Sequence, residues 1–141
     1  SGVRIRPARP EDEPRVLELL PLSAPEVMTE EELRAARQRF RELSTLEVLV
    51  AEAQGQVVGF IVLSYIQTLT GPRGWIDDIA VDPSYRRQGI GRMLVEAAVR
   101  QARRRGCSYL FVDTAKGNPP ARAFYEACGF AGGGVAPLHI R

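Results

Sequence analysis

The chain has 141 residues, of which 45% are hydrophobic and 26% charged, and its formal net charge at pH 7 is +2. This size and composition are typical of one globular domain, so we expect residues 1–141 to form a single domain. No apolar run approaches the roughly 20 residues of a membrane-spanning helix, and no secretion signal opens the chain. Two cysteines are too few for a disulfide framework and lack metal-ligand spacing, so we expect a cytoplasmic protein without a metal.

The first third of the chain predicts one strand and two helices. Val3 to Arg6 alternates apolar and basic residues, as a half-exposed strand does. Acidic residues from Glu11 mark the first turn of a helix that runs to about Leu20. Thr29 and Glu32 form a capping box before a second helix, whose apolar face comprises Leu33, Ala36, Phe40 and Leu43.

Three strands are predicted in the middle of the chain. Leu46 to Ala53 and Gln56 to about Gln67 are separated by Gln54-Gly55, which predicts an antiparallel hairpin. The segment Thr70–Gly74 contains glycine and proline and predicts a loop. It leads into a third strand, Trp75–Val81.

The last third predicts a long helix, a strand, a shorter helix and a final strand. The long helix runs from about Ile90 to Arg105, with Gly106 as its cap. Tyr109 to Thr114 is a short apolar strand parallel to the one before the helix. Asn118 begins the next helix as N-cap, and Leu138-His139-Ile140 predicts the last strand. The predicted order is β-α-α-β-β-β-α-β-α-β, an α/β (α+β) architecture.

The junction between the third strand and the long helix carries the clearest functional signal. The sequence from Arg86 to Arg92 is Arg-Arg-Gln-Gly-Ile-Gly-Arg. Its glycines leave backbone N–H groups accessible at the positive end of a helix dipole, which favours binding of a phosphate. The alternative is a surface turn with a cationic helix start. Other phosphate motifs fit worse, because Leu94 stands where a dinucleotide-binding loop needs its third glycine and no Gly-Lys-Ser/Thr is present.

The pattern Arg86-x-x-Gly89-x-Gly91, after a strand that ends in Ile-Ala-Val-Asp-Pro, resembles the acyl-CoA-binding motif of the GNAT superfamily of N-acetyltransferases. The element order is similar to the GNAT fold, in which a mixed sheet splays open between two parallel strands and about four helices flank it. The resemblance covers essentially the whole chain. It implies transfer of the acetyl group of acetyl-CoA to a primary amine, by direct attack in a ternary complex.

The resemblance also implies which residues bind the acyl donor. The main chain of Val81, or of a neighbour, would polarise the acetyl carbonyl. Asn118 would contact pantetheine, and Tyr125 would protonate the departing CoA thiolate. From the residues alone, Asn118 is equally well an ordinary N-cap and Tyr125 a core aromatic. The full implied donor-binding set is Ile79, Ala80, Val81, Arg86, Arg87, Gln88, Gly89, Ile90, Gly91, Arg92, Asn118 and Tyr125.

Asp77 and Asp78 are the leading candidates for a base that assists the amine, because a charged pair inside an apolar strand is costly without a purpose. Alternation along the strand predicts that they lie on opposite faces, and that Asp77 shares a face with Val81. We therefore prefer Asp77, although one aspartate would also suit the open sheet end or a pair with an arginine. Glu52 is a weaker candidate.

Two other functions stay open from the sequence. A non-catalytic acyl-CoA-binding module would have the same fold. A nucleic-acid-binding module would use the many arginines, but a net charge of +2 without interleaved aromatic residues argues against it. His139 is interpreted as a surface residue. The resemblance implies that specificity lies in Leu22–Thr29 and Gln67–Gly74, and dimerisation, common in the family, stays open.

Overall fold

The computed structural model describes residues 2–23, 28–43, 45–112, 119–131 and 135–138. Its strands are β1 (Val3–Pro7), β2 (Leu46–Ala53), β3 (Gln56–Thr68), β4 (Gly71–Val81), β5 (Tyr109–Val112) and β6 (Val135–Pro137). Its α-helices are α1 (Glu13–Leu19), α2 (Glu30–Glu42), α3 (Ile90–Arg104) and α4 (Pro119–Ala127). The predicted order of elements is confirmed. In the described part of the chain, no helix combines the length and the apolar character that crossing a bilayer requires.

The six strands form one mixed sheet in sequence order, β1-β2-β3-β4-β5-β6. Neighbouring strands are antiparallel except β4 and β5, which are parallel because α3 connects them. Their parallel pairing covers only Gly74–Ile76 opposite Leu110–Val112, although β4 continues to Val81. The predicted fold class, a mixed sheet that opens between two parallel strands, is confirmed.

A separate hydrophobic core lies on each face of the sheet. On one face, α3 packs Leu94 and Ala98 against Ile61 and Leu110, all fully buried. This agrees with the predicted apolar stripe of α3. On the other face, α1 packs against the sheet through a smaller core, which includes Val16, Leu19, Phe60, Val62 and Ala80. Helix α3 therefore contacts β1 to β5 on one side of the sheet, whereas α1 contacts mainly β3 on the other.

The hairpin between β3 and β4 corrects the prediction of a loop over Gln67–Gly74. Thr68 pairs with Gly71 and Gln67 with Pro72, so only Leu69 and Thr70 form the turn. Pro72 lacks a backbone donor, but β5 joins β4 only from Gly74 onward. A proline is tolerated there because that stretch of β4 has a strand neighbour on one side only.

An irregularity in β4 corrects a second prediction. Leu63 of β3 lies opposite Ile76, and Val62 lies opposite Asp78, so Asp77 is an extra residue in β4. Such a bulge interrupts the alternation of side chains between the two faces of the sheet. Both carboxylates face the α1 side of the sheet, where they line one cavity. The prediction that Asp77 and Asp78 lie on opposite faces is wrong.

The expectation that Asp77 shares a face with Val81 is also wrong. Ile79 and Val81 pack against the α3 core, on the opposite face from the two aspartates. The cause is the same extra residue, which shifts the alternation by one position between Ile76 and Asp78.

The last strand lies earlier than predicted. It spans Val135–Pro137, with Phe111 opposite Val135, and the N–H of Leu138 donates to the carbonyl of Ser108 at 2.8 Å. Leu138 is buried. The predicted strand residues His139 and Ile140 lie outside the described residues.

Candidate active site

A cleft of about 410 Å³ opens where β4 passes into α3. We call it the loop cleft, and its described lining residues are Leu22, Ile79, Ala80, Val81, Tyr85, Arg86, Arg87, Gly89, Ile90, Gly91, Arg92 and Phe124. Nine of the twelve predicted donor-binding residues are among them. Gln88 is exposed on the same loop, Tyr125 lies in the adjoining core, and Asn118 lies outside the described residues.

The backbone amide groups of the loop from residue 87 to 92 lack hydrogen-bond partners within the described backbone. Arg87 has a φ of +65° and Gly89, the N-cap residue of α3, has a φ of +77°. The N–H of Met93 donates to the carbonyl of Gly89 at 3.0 Å, and within the described residues the N–H groups from 87 to 92 form no backbone hydrogen bond. Several unpaired donors at a helix N-terminus create a site suited to an anion.

Three arginines add positive charge around these amides. Arg86, Arg87 and Arg92 are all exposed at the cleft. Arg92 lies 3.7 Å from Glu96 one turn further along α3. In the part of the chain that the structure describes, Arg86 and Arg87 have no carboxylate partner. Their guanidinium groups are therefore available to a negatively charged ligand.

Gly91 serves packing rather than backbone conformation. A Cβ atom at this position would lie 3.3 Å from Cζ of Phe124, which is tighter than most contacts of a real Cβ. The glycine lets the start of α3 approach α4 closely. Phe124 thereby closes one side of the loop cleft.

The open edge of β4 borders the same cleft. The N–H of Asp82 donates to the carbonyl of Val58 on β3 at 2.8 Å. Because consecutive residues of a strand direct their backbone groups to opposite sides, the N–H and C=O of Val81 point away from β3. They face the side where the parallel pairing with β5 has already ended.

Arg15 fixes the end of β4, a contact that the sequence did not indicate. Its Nε donates to the carbonyl of Val57 at 2.9 Å, and its Nη2 donates to Oδ2 of Asp82 at 2.5 Å. Oδ1 of Asp82 in turn accepts the N–H of Ser84 at 2.8 Å. These bonds hold the pKa of Asp82 below its usual range, first through Ser84 and then through Arg15.

A second cavity, of about 530 Å³, lies on the opposite face of β4 between α1, α2 and the sheet. We call it the carboxylate cavity because Asp77 and Asp78 both line it. The other described lining residues are Val16, Leu17, Leu20, Met28, Glu32, Ala36, Arg39, Phe40, Leu43, Leu46, Val48 and Val62. The bulge in β4 thus brings together the two carboxylates that strict alternation would have separated.

The two carboxylates differ in their surroundings. Desolvation by the cavity wall raises the pKa of Asp77, and the charge of Asp78 raises it further, while a hydrogen bond from Ser64 lowers it. Oδ1 of Asp78 accepts a hydrogen bond from the Ser23 hydroxyl at 2.9 Å. Glu52, the weaker candidate, accepts Nε of Arg6 at 2.7 Å and is not among the described residues that line either cavity.

Tyr125 is buried, with its ring edge-on to Phe124 at 5.1 Å and to Phe130 at 5.6 Å. Burial raises the pKa of its phenol to about 12, and the charges of Cys128 and Asp78 contribute to the rise. The phenol is therefore neutral at physiological pH and lies within the electric field of Asp78. It belongs to the core on the α3 side of the sheet and contacts Phe124, which lines the loop cleft.

Helix α2 forms one wall of the carboxylate cavity rather than a core layer. The predicted capping box is present, with the N–H of Glu32 donating to Oγ1 of Thr29 at 3.1 Å. However, α2 has no fully buried residue, and its predicted apolar face borders the cavity through Ala36, Phe40 and Leu43. The sequence pattern indicated the apolar face but not that a cavity lies under it.

Ion pairs attach α2 to α1. The buried carboxylate of Glu13 accepts Nε of Arg41 at 2.5 Å and Nη2 of the same residue at 3.0 Å. Arg37, one turn earlier, lies 3.3 Å from Glu13. Among the described residues, no group of three or more His, Cys, Asp or Glu side chains is placed to hold a metal ion.

Comparison with known proteins identifies the family. The pattern of the acetyltransferase (GNAT) family matches residues 14–130. The chain belongs to the GNAT family. The resemblance drawn from Arg86 to Gly91 is confirmed, and the matched range includes α3, β4 and both cavities.

Individual GNAT relatives differ in how much of their length the chain matches. Streptothricin acetyltransferase of Streptomyces lavendulae is 39% identical over 79 residues, which is 56% of this chain and 41% of the relative. The chain thus spans less than half of that relative. Glucosamine 6-phosphate N-acetyltransferase 1 of Oryza sativa subsp. japonica is 36% identical over 142 residues, covering 92% of this chain and 82% of the relative.

The fold has a close counterpart among solved structures. The acetyltransferase AAC(6')-Iy, solved with the bisubstrate analog CoA-S-monomethyl-acetylneamine, superposes with a TM-score of 0.82 over 93% of this chain and 92% of that one. The two sequences are 23% identical, so this likeness supports the GNAT fold and nothing finer.

Proposed function

We propose that this chain is an N-acetyltransferase that uses acetyl-CoA as acyl donor and a primary amine as acceptor. The observation that carries the proposal is that the two cavities meet on β4. Ile79–Val81 line the loop cleft, and the adjacent Asp77 and Asp78 line the carboxylate cavity. A donor in the first and an amine in the second would approach each other across one strand, as direct transfer requires.

The loop cleft suits the pyrophosphate of coenzyme A. Unpaired N–H groups from residues 87 to 92, the dipole of α3 and the guanidinium groups of Arg86 and Arg87 would all bind its negative charge. The outward backbone groups of Val81 would pair with the amides of the pantetheine arm. When bound, acetyl-CoA supplies an activated thioester. Roles for Gln88 and Asn118 stay predictions.

Transfer from a neutral amine moves one proton off the nitrogen and one onto the departing sulfur. An alkyl amine with a pKa near ~10.4 is mostly protonated at pH 7 and must first lose a further proton, so a carboxylate that accepts this proton and passes it to solvent would assist. We propose Asp77 or Asp78 for this role, directly or through a water molecule, because both carboxylates line the carboxylate cavity.

We propose that Tyr125 serves the departing sulfur. Its pKa of about 12 lies well above that of a thiol, which is near ~8.5. Complete proton transfer from this phenol to the thiolate is therefore uphill. We expect Tyr125 to stabilise the sulfur mainly by donating a hydrogen bond in the transition state.

The proposal is tested by calorimetric titration with acetyl-CoA, followed by a screen for amine-dependent release of CoA. Binding at micromolar concentrations together with turnover would support it. Absence of binding would contradict it. Binding without turnover on any amine class would instead indicate the non-catalytic acyl-CoA-binding module. A single domain over residues 1–141, dimerisation and a cytoplasmic location stay predictions.

A further inference from the structure

The described lining of the carboxylate cavity consists of apolar and charged side chains. Ten of the fourteen described residues that line it are apolar, and the remaining four are Glu32, Arg39, Asp77 and Asp78. None of these fourteen is Ser, Thr, Asn, Gln, Tyr or His. The cavity thus offers charge at a few points and a hydrocarbon surface elsewhere.

The charged residues are not spread evenly. Asp77 and Asp78 lie on the sheet, at the border with the loop cleft, whereas Glu32 and Arg39 are exposed on α2. Three carboxylates and one guanidinium give the lining a net charge of −2. This net charge favours binding of a cation beside β4. It disfavours an acceptor that carries a phosphate, because Arg39 alone among the described lining residues would attract the phosphate.

The apolar residues surround the space beyond the carboxylates. Phe40 and Leu43 of α2, Val16 and Leu17 of α1, and Val62 on the sheet line this space. A polyhydroxylated acceptor such as an amino sugar would lose more hydrogen bonds to water here than the four charged side chains of the lining could replace. An acceptor with a hydrocarbon body would instead gain from each group that leaves water.

From this arrangement, and resting on the proposed function, we infer that the acceptor is a primary amine on a hydrophobic body, an alkylamine or arylalkylamine. Its amino group lies beside Asp77 and Asp78. Its hydrocarbon part lies between α1 and α2. Amino sugars and phosphorylated amines are poor acceptors.

A homologous series of amines tests this inference without altering basicity. We would measure kcat/KM by CoA release for n-propylamine to n-hexylamine, with glucosamine and glucosamine 6-phosphate as polar competitors. Each added methylene is expected to raise kcat/KM by about two- to fourfold until the cavity is filled. The inference would be overturned by a kcat/KM that stays constant along the series, or by a kcat/KM for glucosamine above that for n-propylamine.

Variants of Leu43 and Ile66 supply the matched control. Leu43 is 44% exposed and lines the carboxylate cavity, whereas Ile66 is 54% exposed on β3 and lines neither cavity within the described residues. Leu43→Ser is expected to lower kcat/KM for n-hexylamine more than for n-propylamine, and so to reduce the gain per methylene. Ile66→Ser is expected to leave that gain unchanged. Equal effects of the two variants would contradict the assignment of the cavity.

Calorimetry separates failure of the inference from failure of the proposed function. Binding of n-hexylamine, but not glucosamine, to the protein without acetyl-CoA would support the inference independently of turnover. If acetyl-CoA binds and is used on amino sugars, the inference fails and the proposed function stands. If acetyl-CoA does not bind, the proposed function fails, and n-hexylamine binding still decides what the cavity accepts.

Discussion

The loop cleft and the carboxylate cavity share β4 but differ in what they are made from. The loop cleft offers mainly backbone N–H groups from one continuous segment, residues 87 to 92. The carboxylate cavity offers side chains from α1, α2 and three strands. A site built on main chain tolerates many sequences at the same geometry, whereas a site built on side chains changes with each substitution. We therefore expect the donor to be common to the family and the acceptor to be particular to this chain.

The largest expected effect comes from Tyr125. In the proposed function Tyr125→Phe removes the hydrogen-bond donor to the departing sulfur, and we expect kcat to fall by about 10²-fold. The affinity for acetyl-CoA should not change, because the backbone amides of the loop cleft remain. Steady-state kinetics and calorimetry on the same variant measure the two quantities.

A matched variant distinguishes loss of the phenol from general disturbance. Tyr109 is 40% exposed on β5 and lines neither cavity within the described residues. Tyr109→Phe should leave kcat unchanged. If Tyr125→Phe has the same small effect, Tyr125 is only a core residue.

The next largest effect tests whether the loop cleft depends on its backbone conformation. Gly89 has a φ of +77° and Gly55, in the β2–β3 turn, has a φ of +75°, and an added Cβ meets no atom within 4 Å at either site. Gly89→Ala and Gly55→Ala should therefore cost a similar stability, about 1 kcal/mol each. Only Gly89→Ala should weaken acetyl-CoA binding, by about tenfold, which is ~1.4 kcal/mol. Equal affinities in the two variants would show that the loop amides do not hold the donor.

A smaller effect concerns how the free energy of unfolding depends on pH through Asp77 and Asp82. Burial raises the pKa of Asp77, whereas Ser84 and Arg15 lower the pKa of Asp82. An ionised Asp77 therefore destabilises the fold at neutral pH, and stability should rise as the pH falls through its raised pKa toward the unfolded value near ~3.9. Asp82 contributes stability above its unfolded pKa, and that contribution is lost as the pH falls through its lowered value.

Two isosteric variants test these opposite contributions of Asp77 and Asp82 to the free energy of unfolding. Asp77→Asn should raise the free energy of unfolding at pH 7 while lowering kcat/KM, and Asp82→Asn should lower the free energy of unfolding. Urea unfolding between pH 3 and pH 8 measures both. If Asp77→Asn lost stability at pH 7, the carboxylate would be structural and not the proposed base.

The order of elements and the loop cleft were predictable because their signals are local. The contiguous run from Arg86 to Gly91 fixes a turn, a helix start and a set of free amides. The capping box at Thr29 likewise fixes the start of α2. In each case residues within one or two turns of each other determine the geometry.

The carboxylate cavity was not predictable because it depends on an insertion of one residue and on tertiary packing. Strict alternation placed Asp77 and Asp78 on opposite faces, but the bulge opposite Val62 and Leu63 reversed that conclusion. The apolar face of α2 was evident, but the cavity beneath it forms only when α2 is held against α1 through Glu13. The contacts of Arg15 join residues 42 and 67 positions away, which no local pattern indicates.

The smallest expected effect concerns Arg87, whose φ of +65° is unfavourable for a residue with a side chain. Arg87→Gly should stabilise the fold by roughly 0.5–1 kcal/mol, less than the full strain because glycine loses more backbone entropy on folding. It should also weaken acetyl-CoA binding slightly through loss of the guanidinium group. Thermal unfolding and calorimetry measure these changes.

Gln54 provides the control, because its φ is +53° in the β2–β3 turn. Gln54→Gly should give a similar gain in stability with no change in acetyl-CoA affinity. A gain from Gln54→Gly alone would mean that the conformation of Arg87 carries no strain.

Arg15 connects the end of β4 with the helix that lines the carboxylate cavity. It bonds Asp82, which precedes the turn at residues 86–89, and the next residues on its helix, Val16 and Leu17, line the carboxylate cavity. A nucleotide that shifts the turn would also shift Val16 and Leu17 through Arg15, and so change the affinity of the carboxylate cavity for an amine. By linkage, a bound amine would change the affinity for the nucleotide by the same free energy. We expect the two substrates to bind with mutual cooperativity in the intact protein, and Arg15→Ala to make each affinity indifferent to the presence of the other.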